Sequence, residues 1–354
     1  VKRFNALGIV TCAALVSALA APGAQAAAPV TLKSTGSTLM YPLLEKWTQQ
    51  YRSVAPDVRI ATEATGSGAG IRDAIAGAVQ FGVSDAYMTD EQMAASPGML
   101  NIPLAISWQL VNYNLPGLNG AALRLDGPTL AGIYTGSIRS WDDAAIAAMN
   151  PGVTLPHRAI VPIHRTDSSG NSFVFSQYLT FSTDSWEFGP SFGTDIAWPS
   201  VPGAKSAIGN DGMVKVLTAT PYGIAYIGAS LTGQIALAHL GTAMLKNQAG
   251  KFLAPSPATV RVAAAELSPR TPKDERLSLV FAPGADSYPL VNYEYAIVAT
   301  KHPDPATAAA LRDFLLWAVG ERQGNDQNVL DQLHFATLPE LIRALSEVQI
   351  RQIG

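Results

Sequence analysis

Three segments of this sequence set Ser, Thr and Gly together just ahead of a helical hydrophobic pattern. Ser34-Thr35-Gly36-Ser37-Thr38-Leu39 leads to Leu43, Leu44, Trp47 and Tyr51, with Pro42 suited to a first helical turn. Thr65-Gly66-Ser67-Gly68-Ala69-Gly70 leads to Ile71, Ile75 and Val79 at a four-residue step. Asp167-Ser168-Ser169-Gly170-Asn171-Ser172 leads to Phe173, Tyr178 and Leu179. A helix start offers unpaired N–H donors and a partial positive charge. Glycine lets a ligand approach the backbone, and Ser and Thr add hydroxyl donors. One such loop reads as an ordinary helix cap. Three in one chain point to an anion site, for phosphate or sulfate in particular.

Two acids and one arginine could finish such a site. Arg165 and Asp167 stand at i and i+2, just before the third loop. The guanidinium fork fits a tetrahedral oxyanion, and a nearby carboxylate can hold it in place. A surface ion pair is the plainer alternative. Asp85 lies in Phe81-Gly82-Val83-Ser84-Asp85-Ala86, and Thr89-x-x-Gln92 already supplies a capping box for the next helix. Asp85 is therefore either free for another task or a turn residue. An acid beside an anion makes sense if the ligand brings a proton. Phosphate near neutral pH does; sulfate does not, and would leave the acid unpaired against like charge.

Other chemistries find no support. The Gly66–Gly70 run lacks the third glycine of a dinucleotide fingerprint at its spacing, and no GK[ST] follows it. There is no G-x-S-x-G elbow. The histidines, His157, His164, His239, His302 and His334, show no metal-ligand spacing, so neither a metal nor a cofactor is expected. His164 is notable only for preceding Arg165.

The elements that must position these loops read as alternating strand and helix. Short β-rich runs occur at Val58–Ala61, Phe81–Val83, Ile160–His164, Tyr222–Ile227 and Tyr293–Thr300. Ile106–Asn114 reads as a strand leaving one unit for the next, while 303–317 and 338–350 read as closing helices. Residues 245–290 read as irregular. The pattern predicts an α/β protein. The 354 residues suggest about two domains. With 48% hydrophobic and 14% charged residues the chain can build sizeable cores. A net charge of −3 gives no basic field for nucleic acid or anionic membrane. Lys2 and Arg3, an apolar run from Ala6 to about Ala21, and Ala24-x-Ala26 predict a cleaved signal peptide over residues 1–26. Cleavage would remove two of the 24 basic residues, none of the 27 acids, and the single cysteine, Cys12, leaving a net charge of −5 and no thiol.

These residues in this order resemble the periplasmic phosphate-binding proteins of bacterial phosphate ABC importers (PstS-like). The resemblance runs through most of the chain beyond residue 26. Besides the three loops it is carried by Tyr113-Asn114-Leu115-Pro116-Gly117-Leu118, Thr129-Leu130-Ala131-Gly132-Ile133-Tyr134, Ser140-Trp141-Asp142-Asp143, Gly209-Asn210-Asp211-Gly212 and Ala336-Thr337-Leu338-Pro339. It implies a two-lobed periplasmic-binding-protein fold (type II-like) with the ligand in the interlobe cleft. The expected division is lobe I at 27–108 plus 286–354 and lobe II at 109–285. Carried over by position, Thr38 and the Leu39 backbone donate to phosphate from the first loop and Ser67 from the second. Asp85 accepts the ligand's proton, and Arg165 contacts phosphate while paired with Asp167. Ser169, Gly170 and Asn171 donate from the third loop. The sequence departs from the family's usual pattern at Leu39 (Phe), Tyr87 (Pro), Ser168 (Gly) and Asn171 (Thr). The expected protein is a monomeric, non-enzymatic, periplasmic substrate-binding component that delivers phosphate to a membrane permease; release outside the cell is the other expected location. A binder of sulfate or molybdate, a secreted phosphatase using Ser169 near His164, and an adhesive protein that keeps the fold are the competing readings.

Overall fold

The computed structural model describes residues 1–2 and 29–354. The expected signal peptide, beyond its first two positions, and Cys12 lie outside the described residues. Twelve strands follow in chain order: β1 (Val30–Gly36), β2 (Val58–Ala64), β3 (Phe81–Ser84), β4 (Met99–Tyr113), β5 (Arg124–Leu125), β6 (Val161–Arg165), β7 (Lys205–Ala207), β8 (Gly223–Gly228), β9 (Gly241–Thr242), β10 (Met244–Lys246), β11 (Phe252–Leu253) and β12 (Val291–Ala299). Eight of them lie side by side in the order β2-β1-β3-β12-β4-β8-β6-β7, and β9 pairs with β4. A separate small sheet has the order β11-β10-β5.

Parallel pairing is confined to two groups within the large sheet. β1 runs parallel to β2 and β3, and β6 runs parallel to β7 and β8. Parallel neighbours need a crossover. Here helices supply it: Tyr41–Tyr51 after β1, Ser67–Ile75 after β2, Gly170–Ser182 after β6 and Gly209–Thr218 after β7. Each of the three Ser/Thr/Gly loops therefore leaves the C-terminal end of a parallel strand, where α/β sheets hold ligands.

β4 joins the two groups. Nine of its first ten residues pair with β12, Leu104 being skipped, and its last five with β8. Every one of its residues is buried, which explains a run with no polar alternation. The strand starts at Met99, earlier than the expected Ile106. Pro103 obscures that beginning in the sequence, because it has no N–H for a ladder. The pairing with β12 slips at this point, between Glu294 and Tyr295.

Each group has its own aromatic core. Trp47, Tyr51, Phe81, Phe314 and Trp317 stack beside the first group. Tyr134, Phe175, Trp186, Trp198 and Tyr226 stack beside the second. The closing helices are found at Pro305–Val319, capped by Asp304, and Glu340–Ile350.

The reading of 245–290 as irregular needs correction. Pro257–Leu267 is a helix, started by a Ser256/Thr259 capping box with Pro257 in its first turn. It packs against β4 and β12. Beyond it, Glu275 is fully buried and accepts hydrogen bonds from Ser346 (2.9 Å) and Gln349, tying this segment to the last helix. Burial pushes the Glu275 carboxyl up to about 8 despite those two donors. Among the described residues, no helix is long and apolar enough to cross a membrane.

Candidate anion-binding site

The three loops converge where the two strand groups face each other. Gly68 N–H of the second loop donates to the Ser168 carbonyl of the third (3.1 Å). Thr38 Oγ1 of the first loop accepts from Asn210 N–H (3.2 Å) and Nδ2 (2.9 Å) at the helix after β7. Ser230 Oγ donates to the Leu39 carbonyl (2.8 Å). These contacts bring Thr38, Leu39, Ser67, Asp85, Arg165, Asp167, Ser169, Gly170 and Asn171 into one place.

The first group contributes hydroxyls around an acid. Ser37 Oγ accepts from Leu39 N–H (3.1 Å) and Met40 N–H (3.0 Å) and donates to Asp85 Oδ1. The Leu39 N–H is thus directed at Ser37. Ser67 Oγ accepts from Asp85 N–H (3.1 Å). The capping box at Thr89 and Gln92 forms as expected, which leaves Asp85 to this cluster. Asp85 is buried, and burial raises its carboxyl above the ordinary carboxylate range. Ser37, Glu294, Arg165 and Ser67 act against that rise.

The second group contributes the cation. Arg165 Nε donates to Asp167 Oδ1 (2.6 Å) and Nη2 to Oδ2, a fork-to-fork pair. Their side chains are 1% and 13% exposed, so the surface-pair alternative is overturned. Burial opposes the Asp167 carboxylate, but the Arg165 bonds and charge, with Gly209 N–H at 3.2 Å, outweigh it and hold the acid below its ordinary range. Arg165 Nη1 also donates to Asn171 Oδ1 (3.3 Å), as does Asn210 Nδ2 (2.9 Å). With Oδ1 so occupied, the buried Asn171 Nδ2 has no acceptor among the described residues. Ser169 caps the helix Gly170–Ser182 by accepting from Ser172 N–H (3.3 Å), which leaves its own proton to give. Ser168 Oγ instead donates to Asp195.

His164 stacks on Trp198 and its Nδ1 lies 3.2 Å from the Arg165 carbonyl; no hydrogen bond joins it to Ser169. Two site residues were not singled out by spacing. Asn210 is fully buried and links Thr38, Asn171 and Gly228 N–H (2.9 Å) across the junction. Its signal was a polar residue opening a helix directly after a glycine. Glu294 is the other, a buried acid in the middle of β12. An acid inside Val291–Ala299, otherwise apolar apart from Asn292 and two tyrosines, was the available sign.

Donors from two strand groups aimed across a junction define a two-lobed ligand-binding protein. The chain matches the PBP superfamily domain over residues 22–322 and belongs to that superfamily. Within it, the chain belongs to the phosphate-binding protein PstS family. It is 30% identical to a phosphate-binding protein PstS of Methanocaldococcus jannaschii over 83% of this chain and 79% of that one. It is 31% identical to one of Pasteurella multocida over 88% and 87%. Among solved structures, it resembles a high-affinity periplasmic phosphate-binding protein, PfluDING, bound with phosphate (TM-score 0.71, 20% identity, 90% and 93% covered). It also resembles the phosphate-binding protein of Stenotrophomonas maltophilia (TM-score 0.68, 18% identity, 90% and 93% covered). The α/β two-lobed fold expected from the sequence is the fold found.

Proposed function

We infer that this chain is the substrate-binding component of a phosphate ABC importer. It takes inorganic phosphate between its lobes and delivers it to a membrane permease. The observation that carries this reading is the pairing of a buried acid, Asp85, with a buried arginine and the unpaired Asn171 amide at one junction. Arg165 supplies the positive charge, and the helix starting at Gly170 adds backbone donors. Thr38, Ser67 and Ser169 give hydroxyl protons, and the Gly170 and Asn171 amides complete the donor side. Asp85 receives the proton that dianionic phosphate still carries. Sulfate has none to give, and its oxygen would face a carboxylate with no proton between them. Unpaired polar groups in a buried site are what produce large discrimination. The relatives, named as phosphate-binding proteins, support the same ligand.

The lobe division belongs to this proposal: 27–108 with 286–354 against 109–285. The helix Pro257–Leu267, within the second of these, packs on β4 and β12. Export to the periplasm through a cleaved leader belongs to the proposal too, with the chain acting as a monomer, free of metal and without catalytic activity. The test is a calorimetric titration of the purified chain, stripped of bound anion by unfolding and refolding. One-to-one phosphate binding that excess sulfate does not displace is expected. An equal response to both anions would contradict the reading.

A further inference from the structure

The site holds a second carboxyl group whose proton the first depends on. Glu294 sits on β12 between β3 and β4, fully buried. Its Oε1 accepts from Ser107 Oγ (2.5 Å) and Asn292 Nδ2 (3.2 Å). Its Oε2 is equally buried and has no donor among the described residues. The Asp85 carboxyl is the ionisable neighbour that acts on it. Asn292 binds the two sides together, since its Nδ2 also reaches the Asp85 carbonyl (3.3 Å).

Two carboxylates cannot share such a space. Each is acceptor-only when ionised, so contact between them requires one proton. Asp85 is the partner placed to stay ionised, because Ser37, Ser67 and the Arg165 charge act on it. Glu294 has only Ser107 and Asn292, both on Oε1. Among the described residues no charged side chain donates to Glu294. Arg72 and Asp73, on the helix after β2, pair with each other at the surface. On the helix Pro257–Leu267, Arg261 pairs with Asp331 and Glu266 is exposed. Ser107 is the polar contact from β4.

We propose that Glu294 is a positioning residue that keeps one proton and donates it from Oε2 to Asp85, so that Asp85 presents a carboxylate lone pair to the ligand's proton. This rests on the phosphate reading above. With that proton in place the two acids carry a single negative charge. Without it the dianionic ligand would enter beside two. Glu294 touches Asp85, and it is Asp85 that meets the ligand.

Glu294→Gln is close to the protonated acid in shape and keeps a donor toward Asp85 while its oxygen serves Ser107 and Asn292. Its phosphate affinity at neutral pH should stay within about threefold of the unaltered chain. The alkaline limb should differ. As pH rises through titration of the pair, the unaltered chain loses affinity by about tenfold per pH unit, and E294Q, with no proton to lose, does not. The acid limb, where Asp85 itself protonates, should be shared. Infrared difference spectroscopy gives a second readout. At neutral pH the unaltered chain minus E294Q should show the carbonyl stretch of a protonated carboxyl group, while Glu275 contributes to both and cancels. A hundredfold affinity loss in E294Q, an unchanged alkaline limb, or no protonated band in the difference would each overturn the proposal. Failure of the unaltered chain to bind phosphate would overturn the functional reading instead, and the infrared band would still decide where the proton sits.

Discussion

Arg165→Met should weaken phosphate binding by about a thousandfold, the range expected when one member of a buried charge pair is removed. Two losses combine. The ligand loses the guanidinium at the junction. Asp167, held low by Arg165, keeps only Gly209 N–H and its own backbone as compensation and becomes an uncompensated acid near a dianion. Arg165→Lys should recover little of this, because an ammonium cannot span both Asp167 oxygens and still reach Asn171. Calorimetry reads the affinity, and a thermal melt followed by circular dichroism shows that the fold survives. A loss of under tenfold in Arg165→Met would mean that the arginine supports Asp167 and does not meet the ligand.

Gly170→Ala should cost about a hundredfold in affinity while leaving the fold intact. A Cβ at position 170 would lie 2.4 Å from Ser67 Oγ and 2.6 Å from Asp85 Cβ, both beside the first strand group. Neither neighbour can withdraw easily, since Ser67 is tied to Asp85 and Asp85 is buried. Within its own lobe the change is harmless. Gly170 opens a helix and has no positive φ, and alanine is the better helix former. The melting temperature of the ligand-free chain should therefore hold or rise slightly. The damage falls on the approach of the two lobes, which a hinged binding protein needs to enclose its ligand. Small-angle scattering should show that phosphate compacts the unaltered chain and fails to compact Gly170→Ala. Equal compaction with equal affinity would show that the junction has slack the distances do not suggest.

These two residues differ in how far their roles are written in the local sequence. The loops were legible because helix starts have local chemistry: Ser169 caps, Gly170 begins the helix, and Thr89 with Gln92 forms the box that set Asp85 apart. Arg165 and Asp167 were visible as neighbours, but burial decides whether such a pair matters, and burial is a property of the whole fold. Glu294 and Asn210 illustrate the harder case. Each meets its partners across long stretches of chain, and each looks locally like a polar residue in an ordinary strand or helix. The beginning of β4 was hidden by Pro103, whose missing N–H is absorbed by a register slip that only pairing with β12 reveals. The helix Pro257–Leu267 had its cap and its proline in plain view, but its alanine-rich face carries little hydrophobic periodicity.

The proposed function requires phosphate to be held between the three loops, with its proton turned to Asp85. A crystal structure of the chain grown in phosphate tests this most directly. One tetrahedral anion is expected within hydrogen-bonding distance of Arg165, Ser67, the Asn171 amide and an Asp85 oxygen, the last being the contact that a protonated ligand makes to a carboxylate. An anion seated elsewhere, or one at the junction that stays clear of Asp85, would contradict it.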